Sequence, residues 1–126
     1  MAVVVVSVSV VDELARPGVA SWDPDRARSA IVAARSVADV VIVGLHGGVE
    51  YRTRPDPLLG PIADELAAIG ADVVWGHGPH VEQPISVTDP NSVGRPTVIG
   101  TSLGNFLFDQ RRPGTDSGIL DRKSVV

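Results

Sequence analysis

The 126-residue chain contains no cysteine, which excludes disulfides and thiolate metal sites. A metal ion could be bound only by histidine, carboxylate or amide side chains. Aromatic residues make up only 4% of the sequence. A hydrophobic core must therefore be built mainly from valine, isoleucine, leucine and alanine.

Basic residues are also few. The net charge is -4 and the isoelectric point is about 5.2, which argues against a nucleic-acid partner. The pair Arg111-Arg112 is isolated, and we interpret it as a solvated surface turn. The composition is 44% hydrophobic and 21% charged, as expected for one folded domain over residues 1–126.

Long hydrophobic runs are missing too. The apolar start "MAVVVVSVSVV" is too short to cross a bilayer. It has neither a basic leader nor a cleavage signal, so we do not interpret it as a signal peptide. No membrane segment is predicted, and the localisation stays open. The β-branched residues of this run instead predict a strand over Val3–Val11.

Two strand–helix–strand units follow from the hydrophobic pattern. After a loop at Asp12–Ser21 that is broken by Pro17-Gly18, a helix is predicted behind the N-cap Asp23. Further strands are predicted at Asp39–Leu45 and Asp72–Trp75, and the first of them is apolar on both faces, as in parallel sheets covered by helices. The chain therefore belongs to the α/β class.

The second helix has a clear end and two possible starts. Gly70 predicts its C-terminus. Asp56-Pro57 resembles a cap and first turn, but Pro61 would then disrupt the helix, so a start near Gly60 is the alternative. The rest of the chain predicts a hairpin with strands at Gln83–Thr88 and Pro96–Thr101, and a short strand at Gly118–Leu120.

All three histidines follow the two apolar strands. His46 comes after the second strand, and His77 and His80 come after the third. Ligands of α/β sheets bind at the carboxyl ends of parallel strands, and imidazole is the commonest neutral metal ligand. Two interpretations stay open at this point: a metal site, or histidines that are merely exposed or hydrogen-bonded.

For two further polar residues, a role in the site and a purely local role both stay open. Glu50 could orient a histidine, but its spacing alone favours an exposed loop residue. Asn105 could point into the site, although a turn-forming role is the simpler interpretation. Asp39 and Asp72 lie at the opposite ends of the strands and are assigned to helix–strand junctions.

Three ordered motifs resemble a known family. "ADVVIVGLHGGVEY", "IGADVVWGHGPHVEQPI" and "IGTSLGNFLFDQ" are similar to the second half of the CapA-type poly-γ-glutamate capsule biosynthesis proteins, which have a calcineurin-like metallophosphoesterase fold. The family typically shows His-Trp-Gly-x-Glu-Tyr, Gly-His-His-Pro-His-Val and Ser-Leu-Gly-Asn-Phe in this order. The resemblance covers roughly Val3 to Asp109.

The resemblance implies a four-layer αββα sandwich with a metal centre at the strand ends. It implies that His46, His77 and His80 bind one or two divalent ions, Mn, Fe or Zn, and that Glu50 and Asn105 line the site. The implied activity is a metal-dependent, phosphoesterase-like hydrolysis in capsule or envelope polymer metabolism. A phosphoester or an envelope polymer would be the substrate.

The chain also departs from the family pattern. Gly47 replaces the usual tryptophan, which is expected to open the site wall, and Gly78 replaces the middle histidine. The Gly-Asp, Asn-Leu-Glu and Asn-Asn-His segments of the family's first half do not precede Val3. We therefore expect a partial domain that lacks its N-terminal half. The alternative is a non-enzymatic α/β half-domain that pairs with another chain.

Overall fold

The computed structural model describes residues 1–10 and 20–122. They form an α/β fold, in the order β1 (Val3–Ser9), α1 (Pro24–Arg35), β2 (Val40–His46), α2 (Leu59–Ile69), β3 (Val73–His77), β4 (Ile85–Val87) and β5 (Val98–Gly100). The predicted strand end at Val11 and the predicted break at Pro17-Gly18 lie outside the described residues. The predicted α/β class is confirmed.

The five strands form one mixed sheet in the order β1-β2-β3-β5-β4. The neighbours β1–β2, β2–β3 and β3–β5 are parallel, while β4 is antiparallel to β5. The predicted hairpin is thus confirmed. The prediction of a strand at Gly118–Leu120 is wrong, because only an isolated bridge joins Gly118 to Gly104. The pairing consists of the Asn105 amide donating to the Ser117 carbonyl at 3.2 Å and the Ile119 amide donating to the Leu103 carbonyl at 2.7 Å.

The helix boundaries have clear local causes. Asp23 Oδ1 accepts hydrogen bonds from the Asp25 and Arg26 amides, both at 3.0 Å, and thereby caps α1. Helix α2 begins at Leu59, which favours the later of the two predicted starts. Pro61 then falls in the first turn, where no intrahelical N–H donor is required. Gly70 ends the helix at φ 128°, as predicted.

The hydrophobic core lies between the sheet and its two helices. Alternation along β1, β2 and β3 turns every second side chain toward α1 and α2. The valines and leucines on that face of β2 are almost fully buried, as is Ile31 of α1. The principal core residues are Val8, Ala27, Ile31, Ala34, Val41, Val43, Leu45, Leu59, Ala63, Leu66, Ala67, Val74 and Ile99.

The opposite face of the sheet is apolar and open. Val5 is 59% exposed and Trp75 is 50% exposed, although both project from inner parts of their strands. A cavity of about 360 Å³ on this face is lined by residues that include Ile42, Val98 and Leu103. The described residues therefore form two layers, one sheet and one set of helices, of the four layers that the resemblance implies.

A group of charged side chains closes the amino ends of the strands. The Asp72 carboxylate accepts hydrogen bonds from the Arg35 guanidinium and from the Val41 amide, the latter at 2.7 Å. Arg95 Nη1 lies 3.5 Å from the same carboxylate and donates to the Asp39 carbonyl at 2.9 Å. Asp72 thus links α1, β2 and the segment before β5. It lies at a helix–strand junction, as predicted.

Neither helix in the described ranges is long and apolar enough to cross a membrane.

Candidate functional site

Strand register brings the first two histidines together. Within the parallel sheet, Ser9, His46 and His77 are consecutive Cα partners across β1, β2 and β3. Side chains at one register level of neighbouring strands project on the same side of the sheet. The imidazoles of His46 and His77 are stacked, with ring centroids 4.8 Å apart and an interplanar angle of 18°. Two of the three predicted metal ligands are therefore direct neighbours.

Ser9 is a neighbour that the sequence alone did not indicate. Its Oγ lies 3.3 Å from His46 Nδ1, within hydrogen-bonding distance. The contact occupies one ring nitrogen and leaves His46 Nε2 free of this interaction. Strand register was the available signal, because Ser9 is as far along β1 as His46 is along β2.

His80 belongs to the loop after β3 and adopts φ 61°, which is uncommon for a residue with a side chain. Its Nδ1 lies 2.9 Å from Asn105 Oδ1. Asn105 Nδ2 donates to the Thr115 carbonyl at 2.9 Å, so the amide oxygen faces the histidine. Since that oxygen can only accept, His80 Nδ1 is the donor of this hydrogen bond, and Nε2 is the ring nitrogen left for another partner.

Backbone contacts fix the two histidine loops against each other. The Gly47 amide donates to the His77 carbonyl at 3.0 Å, and the Tyr51 amide donates to the Pro79 carbonyl at 2.8 Å. Gly78 adopts φ 129°, and a Cβ there would lie 2.6 Å from the Gly47 carbonyl oxygen. Glycine at position 78 is therefore a requirement of this close approach.

The expectation that Gly47 opens the site wall is wrong. A Cβ at this position would lie 3.1 Å from Leu59 Cδ2 and 3.2 Å from Val10 Cβ. Alternation places residue 47 on the helix side of the sheet, opposite to His46. The missing side chain therefore leaves room beside Val10 and Leu59, away from the histidine rings.

Burial and charge act together on His77. Its partial burial, and then the positive charges that His46 and His80 would carry, lower the pKa of the His77 imidazole below its usual value. The shift favours the neutral form of the ring. A neutral imidazole is the form that binds metal ions.

Two aromatic rings surround His80. The Tyr51 ring centroid lies 6.3 Å from that of His80, and the Phe108 centroid lies 5.1 Å away on a tilted ring. Tyr51 adopts φ 64°, the second side-chain-bearing residue with a left-handed backbone at this site. Strained backbone of this kind clusters at functional sites. Phe108 was not predicted, because only the folded loop after β5 brings it here.

A network of amides extends from His80 to Tyr51. Asn105 Nδ2 lies 3.5 Å from Gln110 Oε1, and Gln110 Nε2 donates to the Tyr51 hydroxyl at 2.7 Å. The Arg112 guanidinium lies over the Tyr51 ring, with Cζ 4.0 Å from its centroid. The exposed turn predicted at Arg111-Arg112 is present, but its position against the histidine site was not anticipated.

Glu50 stands apart from this network. It is exposed in the loop between His46 and Tyr51. In the described ranges, no hydrogen bond or ion pair joins its carboxylate to a histidine. The structure therefore brings Asn105 into contact with His80 and leaves Glu50 at the surface of the same loop.

The histidine nitrogens could supply some, but not all, of the ligands of a metal site. His46 and His80 each have an oxygen partner at Nδ1, the arrangement by which proteins orient metal-binding imidazoles. Residues 1–10 and 20–122 nevertheless contain no group of three or more His, Asp or Glu side chains gathered closely enough to hold a metal ion. A complete coordination shell would need additional ligands.

Comparison with known proteins places these residues in context. Residues 6–110 match the family described as bacterial capsule synthesis protein PGA_cap. The chain is 42% identical over 94 residues to the PGA biosynthesis protein CapA of Bacillus subtilis (strain 168). It is 37% identical over 99 residues to the capsule biosynthesis protein CapA of Bacillus anthracis. Each match covers 75% of this chain and 23% of the relative, so the chain spans about a quarter of the relatives' length.

Proposed function

Since the chain belongs to the bacterial capsule synthesis family PGA_cap, we propose that it contributes to poly-γ-glutamate capsule biosynthesis as the histidine-bearing part of a metal-dependent, phosphoesterase-like hydrolase. The observation that carries this proposal is the position of His46, His77 and His80 at one edge of the sheet. All three lie within the segment that matches the family.

In this proposal the three histidines hold one or two divalent ions, Mn, Fe or Zn. The hydrogen bonds of His46 with Ser9 and of His80 with Asn105 support the role, because they fix the rings in place. The lowered pKa of His77 supports it too, since it favours the neutral imidazole that binds metal ions. A bound ion would act as a Lewis acid toward a phosphoryl or related oxygen.

The remaining ligands are proposed to come from a longer polypeptide of the kind seen in the relatives. The three histidines would then supply one side of the site and other segments the opposite side. We expect the 126-residue chain alone to bind at most one ion, and weakly. A longer protein that includes this segment is expected to bind about two ions.

Calorimetric titration with Mn²⁺, Fe²⁺ and Zn²⁺ tests the proposal without relying on activity. His77→Ala should abolish metal binding by the chain, because it removes the central ring, whereas Glu50→Gln should leave binding unchanged within about twofold. Elemental analysis of the longer protein, followed by hydrolysis of a phosphodiester such as bis(4-nitrophenyl) phosphate, extends the test. A longer protein without bound metal and without metal-dependent turnover would contradict the proposal.

The open sheet face favours a second candidate function, a non-enzymatic α/β module that pairs with another chain. Exposed apolar patches of this kind mark interaction surfaces, and Trp75 lies at the centre of the face with half of its surface exposed. A chain that remains monomeric and hydrolyses a phosphodiester with added metal would rule this candidate out. A metal-free chain that forms a stable complex with another chain through this face would favour it.

A further inference from the structure

Arg112 carries a positive charge that no carboxylate neutralises in the described part of the chain. The ion pairs there involve Arg26, Arg35, Arg95 and the amino terminus. The guanidinium of Arg112 also donates no hydrogen bond to another described residue, and the side chain is exposed. Its N–H donors are therefore free to bind a ligand.

The ring beneath Arg112 is held firmly. The Tyr51 hydroxyl accepts a hydrogen bond from Gln110 Nε2 at 2.7 Å, and its amide donates to the Pro79 carbonyl at 2.8 Å. A cation over an aromatic face is stabilised by about 0.5–1 kcal/mol at an exposed site. The contact thus biases Arg112 toward one position, which reduces the entropy lost when it binds a ligand.

Tyr51 also sets the distance between Arg112 and the histidines. The Arg112 Cζ is 4.0 Å from the Tyr51 centroid, and the His80 centroid is 6.3 Å from the same point. The two distances place the guanidinium within about 10 Å of the His80 ring, close enough for one extended substrate to reach both groups. The site therefore combines fixed imidazoles with a cation that the Tyr51 ring pre-positions.

We propose that Arg112, supported by Tyr51, forms a binding subsite for an oxyanion group of the substrate beside His80. The inference rests on the proposed function and deepens it by naming the group that holds the substrate's charge. Arginine suits this role because its planar fork binds carboxylate or phosphate through two parallel hydrogen bonds.

The charge of the whole chain gives a physical reason for such a subsite. With a net charge of -4, the chain repels anions at long range. An anionic substrate needs a local cation to offset that repulsion. Arg112 supplies it at the sheet edge where the histidines converge, whereas Arg35 and Arg95 are engaged by Asp72 at the other end of the strands.

Binding of two simple anions to the 126-residue chain tests the inference. Orthophosphate and a γ-linked glutamate trimer are titrated separately into ¹⁵N-labelled protein, and the arginine side-chain resonances are followed by NMR. The buffer is stripped of metal on a chelating resin, so that no soluble chelator competes as an anion. Because no metal is present, the result does not depend on whether the histidines bind one.

Saturable binding of at least one anion is expected, with Arg112 as the responding resonance. Arg112→Gln should weaken the affinity roughly tenfold or more, because a charge-assisted pair of hydrogen bonds is lost. Arg111→Gln removes the same charge from the same turn, and it should change the affinity by no more than about twofold. Tyr51→Leu should weaken binding while the charge remains, and unchanged thermal unfolding of each variant confirms that it folds.

The two anions distinguish the source of the oxyanion. Preference for orthophosphate assigns a phosphoryl group to the subsite, and preference for the glutamate trimer assigns a side-chain carboxylate. Absence of saturable binding by the unmodified chain would overturn the inference. Equal losses in Arg112→Gln and Arg111→Gln would also overturn it, because diffuse charge would then explain the binding. Failure of metal binding with a positive Arg112 result would contradict only the proposed metal-dependent activity.

Discussion

At the scale of single residues, the site depends on backbone conformations that few side chains tolerate. Tyr51 and His80 both have positive φ angles, and each forms part of the contacts around the imidazoles. Gly78 lies between His77 and the loop that carries His80, and it approaches the Gly47 backbone closely. The geometry of the histidines is therefore sensitive to changes that add no charge and remove no ligand.

Gly78→Ala tests this sensitivity. The new Cβ would require both a disfavoured φ and a contact of 2.6 Å with the Gly47 carbonyl oxygen, so we expect a loss of more than about 2 kcal/mol in the free energy of unfolding. Urea denaturation followed by circular dichroism measures it. Gly60→Ala is the matched control: a Cβ there meets nothing within 4 Å, and the helix should gain up to about 1 kcal/mol. Equal stability of both variants would contradict the account.

The residues that the sequence could predict are those whose positions follow from strand ends. His46 and His77 come together because each ends one of two neighbouring parallel strands, and the sequence places both at strand ends. The meeting of His80 with Asn105 depends on a loop with an unusual φ and on residues 25 positions apart. No periodic pattern encodes such a contact. The exposed turn at Arg112 was predicted, but its contact with Tyr51 was not, for the same reason.

At the scale of elements, the sheet is secured at its amino ends by charge and at its centre by apolar packing. Asp72 opens β3 and binds groups from α1, β2 and the segment before β5. The hydrophobic pattern predicted the bounds of β2, β3, β4 and β5 to within one or two residues, although it also predicted a strand at Gly118–Leu120 that is absent. It did not predict how their ends are joined, because side-chain hydrogen bonds between distant segments leave no periodic signal.

Asp72→Asn tests the contribution of this junction. The amide keeps the shape but loses the negative charge that Arg35 and Arg95 face, and one oxygen acceptor as well. We expect a loss of about 1.5–3 kcal/mol in the free energy of unfolding, measured by urea denaturation. Arg26→Gln breaks an ion pair between largely exposed side chains and should cost no more than about 1 kcal/mol. If the two variants lost the same free energy of unfolding, the junction would stabilise the fold no more than an exposed ion pair does.

At the scale of the whole molecule, the two faces of the sheet differ in how much of their apolar surface is buried. Helices bury one face almost completely, while Val5 and Trp75 remain about half exposed on the other. The resemblance that implies a four-layer sandwich also implies a second sheet on this open face. The position of such a sheet could not be read from the sequence, since both faces of β2 are apolar.

Self-association of the chain should follow from the open face. We expect sedimentation velocity to show concentration-dependent oligomers, because solvent-exposed apolar sheet surface favours association. Trp75→Thr should shift the equilibrium toward monomer, since it removes the largest exposed side chain of the face. Val32→Thr alters a residue that is 58% exposed on α1 and should leave the association unchanged. A strictly monomeric chain, or an equal effect of both substitutions, would disprove this role of the face.

The register between β2 and β3 has a consequence for how the site could evolve. If one strand shifted by a single residue, His77 would turn to the helix side and its neighbour Trp75 would enter the core. Buried valines and a leucine at alternate positions oppose that shift, although they lie on the other side of the sheet from the imidazoles. Mutations that merely loosen this packing would thus separate the paired imidazoles, so selection for the histidine pair extends to apolar residues that carry no chemistry themselves.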